Sequence, residues 1–525
     1  MTLDASGAEP VFEDGFSCQG RFEIETIFDS VPERRQSWAI KMTEAPDGRL
    51  LIAWGSTSGK EASQTNKIWI AFSSDEGVTW SKARLFAEMN EEGWPGHPCL
   101  YTHTDGRIFL FYNRWCRAAP ERWRYKVYCQ TSANSGETWS KPERIGADWE
   151  DMVLTTAIRL RNGTILLPVY CDGQGAVMLS NDNGQTWRRR GSFEALEPAI
   201  AELRNGDLYC LVRTREKGYQ YQCWSHDVGL TWTKPEPSPF ESPSAVGILW
   251  RLASGNLVFV WNKQHTTLAV PRYPLCVAMS EDDGKTWPYQ KMIETTYGEK
   301  QLSNHGVYQT GSGIILMATN HHQGTWDGSE HGRIELARFD EAWIRSRLSP
   351  DKWEERPSAT GGIRLDTQGV LLASGAHAGD QTLLVSKFAL PRRCVVEYDV
   401  TDEVRDPETY SGLFLGSPPW EGEPWLYVAR VDGKTPMVEL SSSSANIPAK
   451  ELSRSGYYRA TKVRLQLRDG RVCYEDSTGA KSDWLDLPPD LQWPARWGFF
   501  TRNAAGKLQG KMRITRVRVT CAGPC

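Results

Sequence analysis

The chain predicts an all-β fold: a six-bladed β-propeller over residues 1–355, followed by a β-sandwich of the jelly-roll kind over residues 356–525. Three observations carry this. The first is a pattern S-x-D-x-G-x-T-W that recurs five times, at Ser73–Trp80, Ser132–Trp139, Ser180–Trp187, Ser225–Trp232 and Ser280–Trp287, with Asn134 replacing Asp in the second copy. The second is a turn between apolar runs, met six times, at Gly48, Gly106, Gly163, Gly206, Gly255 and Gly313. The third is the loss of both repeats after about Thr360, where short strands with turn punctuation continue. A repeat at this period marks one supersecondary unit used several times.

Each unit is read in order. Asp47-Gly48, Asp105-Gly106, Asn162-Gly163 and Asn205-Gly206 between apolar runs are strong hairpin signals, and Ser254-Gly255 and Ser312-Gly313 complete the series. A third strand, such as Lys67–Phe72, leads into the five-fold pattern, and a fourth follows its Trp. In that pattern Asp or Asn bonds the backbone two residues on, Gly takes positive φ, and Trp buries a ring beside the turn. Its Asp residues are therefore scaffold. The sixth unit has a hairpin and a third strand, Arg333–Phe339, but no such turn. Six four-stranded units make six blades. Later runs such as Val395–Val400, Trp425–Arg430 and Lys511–Val519 read as sandwich strands, with Arg345 to Gly362 as the junction.

Composition narrows the function. Net charge is −4 with both signs interspersed, which gives no footprint for nucleic acid. No run is apolar enough to span a bilayer, and the first residues lack a secretion signal, so a cytoplasmic location is expected. The twelve cysteines scatter singly, as small buried hydrophobes of a reducing compartment, and no Cys/His cluster has the spacing of a zinc site. No cofactor is expected. The partners expected are a glycan or oligosaccharide substrate, with neither nucleic acid nor membrane, and a homo-oligomer stays open.

Repeat alignment locates an active face. Residues eight to ten before each turn Gly are Trp38, His97, Thr155, Glu197, Val246 and His305; seven after it stand Gly55, Asn113, Tyr170, Arg213, Asn262 and Asn320. In a propeller both sets ring one mouth of the channel, and their polarity contrasts with the Val and Ile that strands prefer. Glu197 and Arg213 fall on adjacent strands, as a catalytic couple or a structural ion pair. His97 and His305 start other blades, and His305, His321, His322 and His331 cluster in one. Arg272, with Tyr219 and Tyr221 in the region after Arg213, adds groups that suit a carboxylate. Trp38, Trp94, Trp115 and Trp261 are candidates to stack on a sugar, although with 23 Trp in the chain any one is more often core.

These residues resemble a known family. The five Asp-box turns, the run from Leu196-Glu197-Pro198 to Arg213-Thr214, and Arg272 ahead of the last box are similar to sialidases, over about residues 20 to 345. The resemblance implies that Glu197 activates a nucleophile and that Arg213 and Arg272 grip the substrate carboxylate. Trp38 stands where the family's first Arg belongs, Glu61 is the acid offered by the loop before the first box, and Leu302 to His305 stand where the nucleophilic Tyr belongs. The reading is thus an exo-acting glycoside hydrolase of the sialidase superfamily with altered machinery, releasing a terminal acidic sugar such as sialic acid. Glu197 activates water or a nucleophile, with Asp151, His305 or His97 as further catalytic groups, and Arg213, Arg272, Tyr219, Tyr221, Tyr170, Trp38, Asn262 and Asn113 bind substrate. The alternatives are a polysaccharide lyase acting beside a uronate, with His97, His305, Tyr170 or Tyr219 as base, and a non-catalytic glycan-binding propeller. The C-terminal region resembles concanavalin-like, lectin-like jelly rolls, with Trp420, Trp425 and Trp484 as candidate platforms.

Overall fold

The computed structural model describes residues 10–521, apart from 17, 60–62, 120–121, 147–149, 216, 270–271, 295–300, 323–331, 376–377, 405–408, 422–423, 432–436, 444–449, 454–460, 478, 480 and 505–510. The chain is all-β, with one short helix at Glu341–Arg345 among the described residues. It divides into two units. One runs from Phe22 to Glu294 and continues to Ile344; the other takes Arg345–Cys525 together with the segment up to Arg21. The division expected at residue 355 therefore falls at Arg345, and the chain's first strand goes with the C-terminal unit. The cause is pairing, because Pro10–Asp14 lies antiparallel against Lys511–Cys521.

The larger unit holds six sheets of four antiparallel strands. Five are contiguous in sequence. The fourth, for example, runs Leu196–Glu202, Leu208–Arg213, Tyr219–Ser225 and Glu236–Glu241. The sixth is assembled differently. Gln301–Gln309, Ile315–His322 and Gly332–Phe339 come from one end of the unit, and Phe22–Phe28, from its other end, pairs with the last of them in register Phe22↔Phe339 to Phe28↔Ile334. The strand missing from the sixth repeat is thus supplied by the N-terminal side.

Apolar faces join successive sheets. Ile68, Leu110 and Tyr112 lie in one cluster between the first and second, and Phe111 and Leu167 in another between second and third. Leu166, Ile200 and Cys210 link third to fourth. Phe240 meets Trp261 between fourth and fifth, Trp250 meets Tyr308 between fifth and sixth, and Ile52 with Leu336 closes sixth onto first. Alternate side chains of one strand face opposite neighbours, so both faces of every sheet are buried. At the last joint the strands approach so closely that a β-carbon on Gly306 would lie 2.2 Å from the Ile40 carbonyl oxygen. Backbone cannot yield as a side chain does. Gly306→Ala is expected to cost about 1–3 kcal/mol of stability, read as a lowered denaturation midpoint.

The recurring turns share their Ser–Gly and Asp/Asn–Thr backbone bonds. In the first, the Ser73 hydroxyl accepts from the Gly77 amide at 2.9 Å, and Asp75 accepts from the Thr79 amide at 2.8 Å and from the Thr79 hydroxyl. The residue before each Gly is also left-handed: Glu76, Ser135, Asn183, Val228 and Asp283. The threonine bonds hold Asp182 and Asp227 down to about 2. These carboxylates are spent on the turn.

The C-terminal unit has an eight-stranded and a seven-stranded antiparallel sheet. Val396, Val517 and Val519 of one and Leu384, Leu413 and Phe499 of the other share a single apolar core. The segment expected to be a junction is partly structural: Trp353–Arg356 pairs with Gln381–Ser386, and Trp353 is buried in that core. Trp420 is exposed but carries Arg502 over its ring at 3.9 Å. The ten cysteines from Cys18 to Cys473 are free. Among the described residues no helix is long and apolar enough to cross a membrane, and no group of three His, Cys, Asp or Glu side chains could hold a metal.

Candidate active site

The site rests on a repeated irregularity. In four sheets the first strand slips register, between Trp38 and Lys41, Gly96 and Cys99, Leu196 and Ala199, and Ser303 and Gly306. At each slip a residue other than glycine adopts left-handed backbone: Ala39 at φ 51°, His97 at 49°, Glu197 at 50° and Asn304 at 51°. Such conformations cost of order 1 kcal/mol or more and re-aim a side chain, which is why they gather at functional sites. All four lie nine residues before their turn Gly. The structural equivalents of His97 and Glu197 are therefore Ala39 and Asn304, one residue from the Trp38 and His305 expected from spacing.

Glu197 is buried, and Arg213 Nη1 bonds both of its oxygens, at 2.9 and 3.0 Å. The two face each other across a hairpin, with Leu196 opposite Arg213. Tyr170, from the neighbouring sheet, donates its hydroxyl to Glu197 Oε1 at 3.5 Å. Arg213 Nε also bonds the Ser244 hydroxyl at 3.1 Å, while Arg272 Nη2 bonds the Ser244 carbonyl at 3.2 Å. Two guanidiniums from adjacent sheets thus meet on one serine. Arg272 Nε also donates to the Ala269 carbonyl at 2.9 Å, and the two guanidinium charges side by side favour an anion.

A third cation, which sequence spacing did not single out, lies close by. Lys41 is fully buried, two residues beyond the bulged Ala39. Its Nζ donates to the carbonyls of Ile40 and His305, at 3.1 and 3.0 Å. Burial pushes the amine down to about 8, against a smaller opposing pull from the charges of Cys99 and Glu197. His305 is buried as well, its Nδ1 on Thr319 Oγ1 at 3.1 Å and its Nε2 without a partner. Burial, reinforced by the charges of Lys41 and Arg272, drives it down to about 3. A histidine kept neutral is a poor acid for a leaving group, and the expected acid role for His305 is corrected on that ground; a neutral imidazole still serves as a base.

The other expected residues sort by their bonds. His97 is buried, with Nδ1 3.2 Å from Asn113 Nδ2 and its ring edge-on to Trp115. The Asn113 amide is oriented by Val153, whose N–H bonds Oδ1 at 2.8 Å, so Nδ2 donates to the histidine. Asn113 also reaches the Val153 carbonyl, Asn262 the Leu302 carbonyl at 2.8 Å, Asn320 the Ser37 carbonyl at 2.7 Å, and Thr155 the Pro198 carbonyl at 2.6 Å. Each of these stitches one sheet to the next, so Asn113 and Asn262 are clasps and not sugar-binding groups. Asp151 is held by Arg189 on an outer strand, at 2.9 and 3.3 Å. Trp38 is buried against Gly55, where a β-carbon would lie 2.8 Å from its Nε1, and Trp261 is core. Tyr221 packs with the cluster between third and fourth sheets, beneath Lys217. Tyr219 is half-buried, edge-on to His265. His321 bonds Glu335 at 2.9 Å in a buried pair that holds the carboxylate well below its usual range. The His322 side chain, His331 and Glu61 lie outside the described residues.

Comparison with known proteins follows this geometry. Residues 48–356 match the family model described as a BNR repeat-like domain. A sialidase of Bacteroides fragilis is 23% identical over 261 residues, 42% of this chain and 48% of that protein. The chain thus spans about half the length of this curated relative. Among solved structures, Trypanosoma rangeli sialidase superposes with a TM-score of 0.50 at 12% identity, over 95% of this chain and 96% of that one. Its complex with the inhibitor DANA gives the same values. These are likenesses of fold. The matched repeats cover more than half of the residues, and the chain belongs to the BNR repeat-like family of the sialidase superfamily.

Proposed function

We propose that the six four-stranded sheets are the blades of one propeller, that the two larger sheets form a β-sandwich, and that the protein is an exo-acting glycosidase releasing a terminal acidic sugar. The observation that carries this reading is the triple contact of Tyr170, Glu197 and Arg213, beside an Arg272 anchored on the same serine as Arg213. In the chemistry it supports, the two guanidiniums receive the sugar carboxylate. Arg213 orients Glu197, and Glu197 accepts the proton of the Tyr170 phenol as that oxygen attacks the anomeric carbon. The new C–O bond forms as the glycosidic C–O bond breaks, and the leaving oxygen takes a proton from solvent; water then displaces the Tyr170 oxygen at the anomeric carbon, one of its protons returns the phenol, and Glu197 gives its proton back to solvent. Sialidases place this tyrosine at the start of the sixth blade, where Asn304 stands here; Tyr170 reaches the equivalent carboxylate from the third.

The test is release of sialic acid from a panel of sialosides, together with mass spectrometry after incubation with 3-fluorosialosyl fluoride. Release, with the label on the Tyr170 peptide and absent from Tyr170→Phe, is the expected result. A near-ultraviolet-absorbing unsaturated product would replace hydrolysis with β-elimination, and no turnover of any anionic glycoside would overturn the enzymatic reading.

A further inference from the structure

Two of the buried cysteines are register partners. Cys210, on Leu208–Arg213, stands directly opposite Cys223, on Tyr219–Ser225, in the antiparallel ladder of the fourth sheet. Opposed residues in such a ladder have α-carbons about 4.5 or 5.5 Å apart, and a disulfide spans about 4.4–6.8 Å. Both side chains are buried in the cluster between the third and fourth sheets, with Ile200 of their own sheet and Leu166 and Val177 of the next. The two thiols also act on each other. Burial first, and the Cys223 thiol beside it second, push the Cys210 thiol well above its ordinary range. Backbone register repeats this placement in the C-terminal unit, where Cys394 stands opposite Cys521.

Either cysteine alone is explained as a small apolar side chain. Their opposition is the separate observation, because at that spacing two sulfurs can join with little movement of the strands. In the closed fold Cys210 stays a protonated thiol, and the thiolate is the form that reacts. Oxidation therefore requires the third sheet to lift from the fourth, by local opening or before the two have packed.

We propose that Cys210 and Cys223 are a disulfide site, closed by thiol–disulfide exchange while that joint is open, and that the bond staples the hairpin carrying Arg213. One thiolate attacks a sulfur of a small disulfide such as oxidised glutathione, and one reduced glutathione leaves. The other cysteine's thiolate then attacks the protein sulfur of the mixed disulfide, and the second glutathione leaves. The protein thiols lose two electrons and two protons, and the glutathione disulfide gains them. The bond closes a ring around the loop between the strands, which restricts the unfolded chain. It also fixes, three residues away, the strand that aims Arg213 at Glu197. The site stands whether or not the protein is a glycosidase.

The test holds the purified, reduced full chain with reduced and oxidised glutathione in urea up to the edge of its unfolding transition, where local opening proceeds. Remaining thiols are then alkylated, and peptides are mapped by mass spectrometry without reduction. The expected product joins Cys210 to Cys223 in one species about 2 Da lighter than its two reduced halves. With urea removed, the linked protein is expected to unfold a few degrees above the reduced one, and Cys210→Ala and Cys223→Ala each to lose both effects. Both cysteines alkylated, either one joined to another cysteine or left on glutathione, or a lowered unfolding temperature in the linked protein would each overturn the assignment.

Discussion

Glu197→Gln is expected to lower turnover of an anionic glycoside by about 10²- to 10⁴-fold, the range lost when a positioned acid–base group is removed. The amide keeps the volume and can still bond Arg213, but it cannot take a proton from Tyr170. The side chain is placed by a left-handed residue in a strand, a strained arrangement with no packing benefit that would explain it. Stability should fall only modestly. Removing one partner of a sealed ion pair costs roughly 3–5 kcal/mol, but the Arg213 side chain is 21% exposed and stays partly solvated, so the loss is well below that. The measurement is steady-state release of the sugar with thermal denaturation alongside. Equal rates for the two proteins would take Glu197 out of the reaction. A large drop in denaturation temperature with residual activity intact would recast the pair as a structural bond.

The second large effect concerns Lys41 and pH. Its amine loses its proton near pH 8 in the folded protein, against an ordinary value of 10.5. Below pH 8 both folded and unfolded chains carry the charge, and the fold bears the whole cost of burying it. Between 8 and 10.5 the unfolded chain binds the proton more tightly, so stability at this site rises with pH; above 10.5 the cost is gone. The interval corresponds to about 3 kcal/mol. Lys41→Met removes the titration and, with it, the dependence. Wild type should therefore gain about 3 kcal/mol on Lys41→Met between pH 7 and pH 10.5, in urea unfolding at each pH. Titrating groups that do not face Lys41 cancel in that difference, and Cys99, Glu197 and His305, whose charges couple to the amine, leave a smaller remainder. Parallel stability curves would show that the amine keeps its proton on the two carbonyls throughout.

The parts of this fold that were legible in the sequence are those whose bonds are local. The Asp-box turns close through side chains four residues apart, as Ser225 to Gly229 and Asp227 to Thr231, so residue types alone announce them. The strand Phe22–Phe28 announces nothing, because its partner lies more than three hundred residues away and the segment ahead of it carries no turn signal. Bulges explain the slipped ring. Each inserts a residue and changes the phase of the strand, so a window of eight to ten residues cannot tell Trp38 from Ala39 or Asn304 from His305. Residue type also says that Asn113 and Asn262 will hydrogen-bond, but not that neighbouring backbone gets there before a sugar does. Lys41 was hidden for the opposite reason. A lysine in a strand ordinarily points to water, and only the close approach permitted by Gly306 seals this one inside.

The pairing of Phe22–Phe28 with Gly332–Phe339 has a consequence for biosynthesis. The ribbon leaves the ribosome well ahead of its mate, which is translated roughly 15–60 s later at ordinary elongation rates. Throughout that interval the nascent chain carries an orphan strand with free amides and carbonyls, the feature that recruits wrong partners. Yield in the cell should accordingly depend less on the finished protein's stability than on how well that waiting segment is chaperoned.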